Sequence, residues 1–174
     1  MPIWEWSIFV TVSVNIMMWL LIHLSISYFF SRLPDRWFEG LQYTASKREL
    51  IFYDRILHIK RWKNHLPDGA AFLGQDFRKS HIQQNDTDYL RKYQLEAWRG
   101  EWCHYVSIWP VPLFFLWNLP VVAWVMMGYA IAANAPCILS LRYNRARIVR
   151  ILQRRGEALL TKNTSEMTED PSPQ

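Results

Sequence analysis

Residues 7–30 read SIFVTVSVNIMMWLLIHLSISYFF, 24 consecutive positions without Lys, Arg, Asp or Glu. A helix needs about 20 apolar residues to cross the hydrocarbon of a bilayer, so this stretch predicts a first transmembrane helix. A cleaved secretory signal carries basic residues ahead of its apolar run and small residues at its end. Here no Lys or Arg precedes Arg32, and the run leaves through Ser31-Arg32-Leu33-Pro34-Asp35, so it reads as permanent. Asn15 and His23 lie inside it, where lipid drives such groups to find partners on neighbouring helices.

A second uncharged region covers residues 102–141. It is too long for one span and predicts two transmembrane helices, 102–118 and 120–141, divided at Asn118-Leu119-Pro120. Pro120 suits the first turn of the later helix. Pro110 and Pro112 predict that the earlier one is kinked or partly unwound, and Gly128 with Ala132 permits close helix contact in the later one. Pro136 cannot donate to the Ala132 carbonyl, so a polar spot is expected there, with Asn134 beside it. Cys103 and Cys137 both sit in apolar sequence and read as packing residues, without disulfide or zinc spacing.

Charge then sets the topology. The chain has 20 Lys and Arg: none before residue 31, 13 between 31 and 101, and seven after 141. With three spans all 20 lie on one border, and the positive-inside rule makes that border cytoplasmic. The fold expected is an all-α integral membrane protein, three transmembrane helices plus cytoplasmic interfacial helices, in the cell membrane with its N-terminus outside and C-terminus cytoplasmic. Ten Trp suit side chains at a membrane–water interface. The net charge of +5 is explained by topology and calls for no nucleic acid.

The 31–101 region is patterned rather than linker-like. In 50–63 (LIFYDRILHIKRWK), Phe52, Ile56 and Ile59 form one stripe against Asp54, Arg55, Lys60, Arg61 and Lys63, which predicts an interfacial helix. Residues 64–86 read as a structured loop containing His65, Asp68 and His81. Asp86-Thr87-Asp88 then starts a helix running past Tyr93 and Ala97 toward His104. Residues 142–157 read as a basic juxtamembrane helix and 158–174 as a disordered tail.

The sharpest polar pattern is Glu96-x-x-Arg99-x-Glu101-x-x-His104. Glu101 and His104 share a helix face. A carboxylate holding one imidazole nitrogen would free the other to act as a base, and an interfacial salt bridge fits the same spacing. Glu96 and Arg99 read as a structural ion pair on a different face. A di-metal bundle needs the Glu-x-x-His motif twice with two further Glu, and no second copy occurs. Arg142, Arg145 and Arg147 can bind anionic lipid or the phosphates of an acyl donor.

Taken in order, these motifs resemble the glycosyl-4,4'-diaponeurosporenoate acyltransferases, small membrane enzymes of bacterial carotenoid biosynthesis. The likeness runs through Arg32-Leu33-Pro34-Asp35 with Phe38, Arg61-Trp62-Lys63, Asp68-Gly69, His81 and Asn85-x-Thr87-Asp88. It continues in Glu96-x-x-Arg99-x-Glu101-x-x-His104-x-x-Ser107-Ile108-x-Pro110 and Ala133-Asn134-x-Pro136. Arg142-Tyr143-Asn144-Arg145-x-Arg147 and Arg154-Arg155-Gly156-Glu157 close it. Two places depart: Asn64 stands where the family has His, with His65 next, and the turn around Asn118 differs.

The resemblance implies transfer of a fatty acyl group from an acyl thioester, such as acyl-CoA, to a sugar hydroxyl of a glycosylated carotenoid or similar glycolipid. No bound cofactor or metal is implied. The expected catalytic residues are His104 and Glu101, with His81 and Asp68 second. Arg142, Tyr143, Asn144, Arg145, Arg147, Arg99 and Asn134 are the expected substrate-binding residues. Partners would be the lipid acceptor, the acyl donor and the membrane, and a homo-oligomer is compatible with all of this. A non-catalytic scaffold of a lipid pathway and a metal-dependent membrane hydrolase are the alternatives.

Overall fold

The computed structural model describes residues 6–41, 43–66 and 87–168, without the side chains of 64, 88 and 157–168. Every regular element among the described residues is helical. Helix α1 (Ile8–Arg32) starts where the Ser7 hydroxyl accepts from the Val10 N–H at 3.4 Å. It ends at Leu33, whose extended backbone is what a following proline enforces.

Two short helices follow, α2 (Arg36–Glu39) and α3 (Lys47–Ile51), the latter capped by Ser46. A π-turn over Phe52–Ile56 leads to His58 in the left-handed region, then α4 (Ile59–Trp62) and a 3-10 turn over Lys63–His65. The expected interfacial helix over 50–63 is therefore broken into pieces. The wider π-turn shifts the register, so Ile59 and Tyr53 are buried while Phe52 and Ile56 are exposed.

Helix α5 (Thr87–Ile108) carries the Glu96–His104 pattern. It stops ahead of Pro110, and a 3-10 segment over Val111–Leu116 turns the chain into α6 (Pro120–Thr168). The three-span expectation is corrected here: two helices, Ile8–Arg32 and Pro120–Gly156, are long and apolar enough to cross a membrane. Proline removes the backbone donor that would continue the helix. Only residues 102–108 of the predicted 102–118 helix are α-helical, and they extend a mostly polar helix. The backbone of α6 is helical to Thr168, through most of the stretch expected to be a disordered tail.

Side-chain contacts give the packing. Ser27 meets Cys103 and the Leu33 carbonyl meets Arg99, so α1 and α5 run antiparallel. Glu101 meets Arg145 and His104 meets Asn134, so α5 and α6 are antiparallel as well. Gly100 makes the second contact close, because a Cβ there would stand 3.1 Å from Leu141 Cδ1. An apolar core of Trp19, Val111, Phe114 and Ala130 fills the far end. There Asn15 and Asn118 exchange two amide hydrogen bonds of 2.9 Å, and Trp117 Nε1 donates to Asn15 at 2.8 Å. The outer faces carry large exposed apolar side chains, including Phe9, Leu20, Leu24 and Phe29 on α1 and Val121, Trp124 and Val125 on α6.

Candidate active site

A buried acid–base pair anchors the polar end of the bundle. Glu101 and Arg145 are 3% and 1% exposed, and Arg145 Nη2 donates to Glu101 Oε2 at 2.8 Å. Arg142 Nε lies 3.3 Å from the other carboxylate oxygen. The Arg145 guanidinium carbon sits 3.6 Å from the Trp98 ring centroid and 4.2 Å from that of Tyr43. Its Nε and Nη1 have no hydrogen-bond partner. The flat cation is thus held by one carboxylate and two aromatic rings.

The expected pairing of Glu101 with His104 is replaced by two separate contacts. A buried carboxylate is held best by permanent cations, and two arginines of α6 reach it. His104 Nδ1 instead lies 2.8 Å from Asn134 Oδ1. The Asn134 amide nitrogen donates to the Ala130 carbonyl at 2.9 Å. A carbonyl only accepts, so this bond orients the amide with its oxygen toward the imidazole. Nδ1 of neutral His104 must then carry the proton, leaving a lone pair on Nε2. Asn134, one of the expected substrate-binding residues, is the hydrogen-bond partner of this imidazole.

Arg99, another expected substrate contact, ties α5 to the end of α1. It donates to Glu96, to Asp35 and, at 3.2 Å, to the Leu33 carbonyl. The Glu96–Arg99 ion pair occurs as expected. Tyr143 is buried and its hydroxyl donates to Asp54 at 2.9 Å. Lys63 Nζ donates to Asn144 at 3.0 Å, and Lys60 pairs with Asp54 at 2.8 Å. Lys60 and Tyr143 hold the Asp54 carboxyl below the usual range. Arg147 is exposed, and Arg142 is 41% exposed at its side chain. These two stand open where Arg145 is enclosed. His65 is exposed, and Asp68 and His81 lie outside the described residues.

Sequence spacing missed Tyr43, Glu49, Tyr53 and Trp98. The Tyr43 and Tyr53 hydroxyls both donate to Glu49, and burial, reinforced by that carboxylate, raises both phenol pKa values. Trp98 shares a helix face with Glu101, three residues on, which was the available signal for an aromatic neighbour of the ion pair. Among the described residues no group of three or more His, Cys, Asp or Glu is placed to hold a metal ion. The Cys103 Sγ lies 3.9 Å from the Ser27 hydroxyl of α1.

An oriented imidazole and a buried ion pair lie on a helical chain with two helices long and apolar enough to cross a membrane, the features of a small helical membrane-associated protein. The glycosyl-4,4'-diaponeurosporenoate acyltransferase family model matches residues 34–154. The protein of that name from Staphylococcus aureus strain N315 is 32% identical over 149 residues, covering 81% of this chain and 89% of the relative. The strain USA300 protein gives the same identity and coverage, and that of strain MRSA252 is 31% identical over 148 residues. No solved structure matches. The chain belongs to the glycosyl-4,4'-diaponeurosporenoate acyltransferase family, and it is an acyltransferase.

Proposed function

We propose that the chain transfers a fatty acyl group from an acyl thioester to a sugar hydroxyl of a glycosylated carotenoid or closely similar glycolipid, at the cytoplasmic border of the cell membrane. The relatives' names supply the acceptor class. The observation that carries the mechanism is the Asn134–His104 hydrogen bond, which leaves Nε2 as the basic nitrogen.

In the proposed step Nε2 takes the proton of the acceptor hydroxyl as its oxygen attacks the thioester carbonyl carbon. The tetrahedral intermediate collapses, the carbon–sulfur bond breaks, and the leaving thiolate recovers that proton from the imidazolium. Ester and free thiol result. General-base assistance of this kind contributes about 10²–10⁴ in rate. Arg147, exposed on α6, and Arg142, which touches the Glu101 carboxylate through Nε but is partly open, are the donor-binding cations in this reading. Glu101 and Arg145 hold the polar end together rather than touching the reacting atoms.

The proposed topology keeps all Lys and Arg on one border with two spanning helices. The segment 102–118 enters the bilayer from the cytoplasmic side and turns back into α6. Asn15, which bonds Asn118, precedes Arg32 by about 25 Å of helix at 1.5 Å per residue. The turn at Asn118 therefore sits deep in the membrane, near the outer end of α1. Irregular backbone at that depth is tolerated where protein encloses it, and Asn118 and Phe114 are buried. The contacts of Arg145 with Glu101 and Asn144 with Lys63 keep the stretch after 141 beside the 31–101 region.

Mass spectrometry of lipids from a host that makes glycosyl-4,4'-diaponeurosporenoate tests the reading. Expression should convert that glycolipid into its monoacyl ester, and His104→Ala should not. Ester formation by His104→Ala at the wild-type level removes the base assignment. No ester with the wild-type chain removes the acceptor.

A further inference from the structure

A second imidazole lies on the face of α1 that packs against α5. Asn15, Trp19, His23 and Ser27 follow one another at spacing four, so they line one stripe of that helix. Three of them fix the direction of the stripe. Asn15 bonds Asn118, Trp19 stacks on Phe114 with ring centroids 5.0 Å apart, and Ser27 Oγ lies 3.9 Å from Cys103 Sγ. All three partners belong to α5 or the segment after it. His23 lies between Trp19 and Ser27, and Cys103 is the residue before His104.

His23 is half-buried, and its Nδ1 lies 3.0 Å from the Trp19 carbonyl oxygen. As a carbonyl only accepts, Nδ1 donates, and the lone pair of neutral His23 is on Nε2. His104 is in the same state through Asn134. Both rings lie on helices that meet at the Ser27–Cys103 contact, one turn from His23 and one residue from His104. Two neighbouring imidazoles thus each offer an acceptor nitrogen, one from α1 and one from α5. A ligand with two adjacent hydroxyl donors matches that pair, whereas a simple alcohol matches one of them. Helix α1 precedes the family match, which begins at residue 34.

We propose that His23 is a substrate-positioning residue that accepts a hydrogen bond from a sugar hydroxyl neighbouring the one His104 deprotonates. It would thereby select which hydroxyl of the sugar is acylated. The inference rests on the glycolipid-acceptor reading above.

Its test is binding, measured separately from turnover, with the full chain in lipid nanodiscs. The probes are dodecyl glucoside, its monodeoxy analogues and dodecanol. Wild type should bind the glucoside more tightly than dodecanol, and one deoxy position beyond the acylated one should weaken binding about 3–10-fold, the worth of a neutral hydrogen bond. His23→Phe keeps a ring against Trp19, 5.1 Å away in the native pair, but deletes the acceptor. It should flatten that difference, and His23→Gln, which restores an acceptor oxygen, should recover most of it. His23→Leu gives the same deletion should Phe disturb folding. Identical deoxy profiles in wild type and the deletion variants overturn the inference, even if acyl transfer proceeds. Discrimination that depends on His23 supports it, even if the wild type esterifies no glycolipid and the acyl-transfer reading fails.

Discussion

Removing the Glu101 carboxylate probes the buried ion pair from its most exposed energetic side. Arg145 has one hydrogen bond from its guanidinium, the 2.8 Å contact to Glu101, and its Nε and Nη1 have no hydrogen-bond partner. In Glu101→Ala the cation keeps only the faces of Trp98 and Tyr43, each worth about 2 kcal/mol at best when desolvated. Breaking a buried pair from one side costs about 3–5 kcal/mol, because the remaining charge stays buried without compensation. With Glu101 3% and Arg145 1% exposed, solvent gives little relief. Glu101→Gln keeps an acceptor oxygen and loses the charge, and should cost about 1.5–3 kcal/mol, the worth of a hydrogen bond to an ion. The double variant Glu101→Met/Arg145→Met removes both charges and should recover most of the loss. Equilibrium unfolding in mixed micelles measures all three, with the Glu101→Met and Arg145→Met singles completing a double-mutant cycle. A single-variant loss below about 1 kcal/mol, or a double variant no better than the sum of the singles, would refute this reasoning.

Other expectations concern the base and the packing around it. Asn134→Ala frees His104 to adopt either tautomer and should lower turnover about 10–100-fold in a purified acyl-transfer assay, with little change in unfolding. The rate should show an acid limb from protonation of His104 that is absent from the residual activity of His104→Gln. Gly100→Leu places bulk where a Cβ already meets Leu141 at 3.1 Å. It should separate α5 from α6 and cost about 1–3 kcal/mol in the same unfolding assay. Asn15→Leu strands the Asn118 amide oxygen and the Trp117 indole N–H, and should lower stability by about 1–2 kcal/mol.

Much of the helical layout was legible because a bilayer imposes simple rules on sequence. The uncharged run 7–30 is one helix, and Pro120 opens another as its position requires. The 102–118 stretch misled because composition counts apolar residues and cannot see that Pro110 ends the α-helix. The stripe of Phe52, Ile56 and Ile59 failed for a related reason, since a π-turn changes the period on which the stripe rests.

At the site, spacing correctly put Glu101 and His104 on one face of α5. Their partners were invisible to local spacing: Arg145 and Asn134 come from α6 and are set by how the two helices cross. Pro136 had marked the Asn134 neighbourhood as polar, which foretold a buried hydrogen bond without naming its imidazole partner. The family resemblance, carried by Arg142-Tyr143-Asn144-Arg145-x-Arg147 and its neighbours, was legible in full. What those residues do was less so, since Tyr143 and Arg145 point inward to Asp54 and Glu101.

Nitrogen NMR of ring-labelled histidine in nanodiscs, with His104 assigned by its loss in His104→Gln, reads the protonation state of the base itself. The expected spectrum at neutral pH has a protonated Nδ1 and an unprotonated Nε2 that exchange roles only after Asn134→Ala. A proton on Nε2 in the wild-type protein, or an unchanged spectrum in Asn134→Ala, would contradict the oriented base.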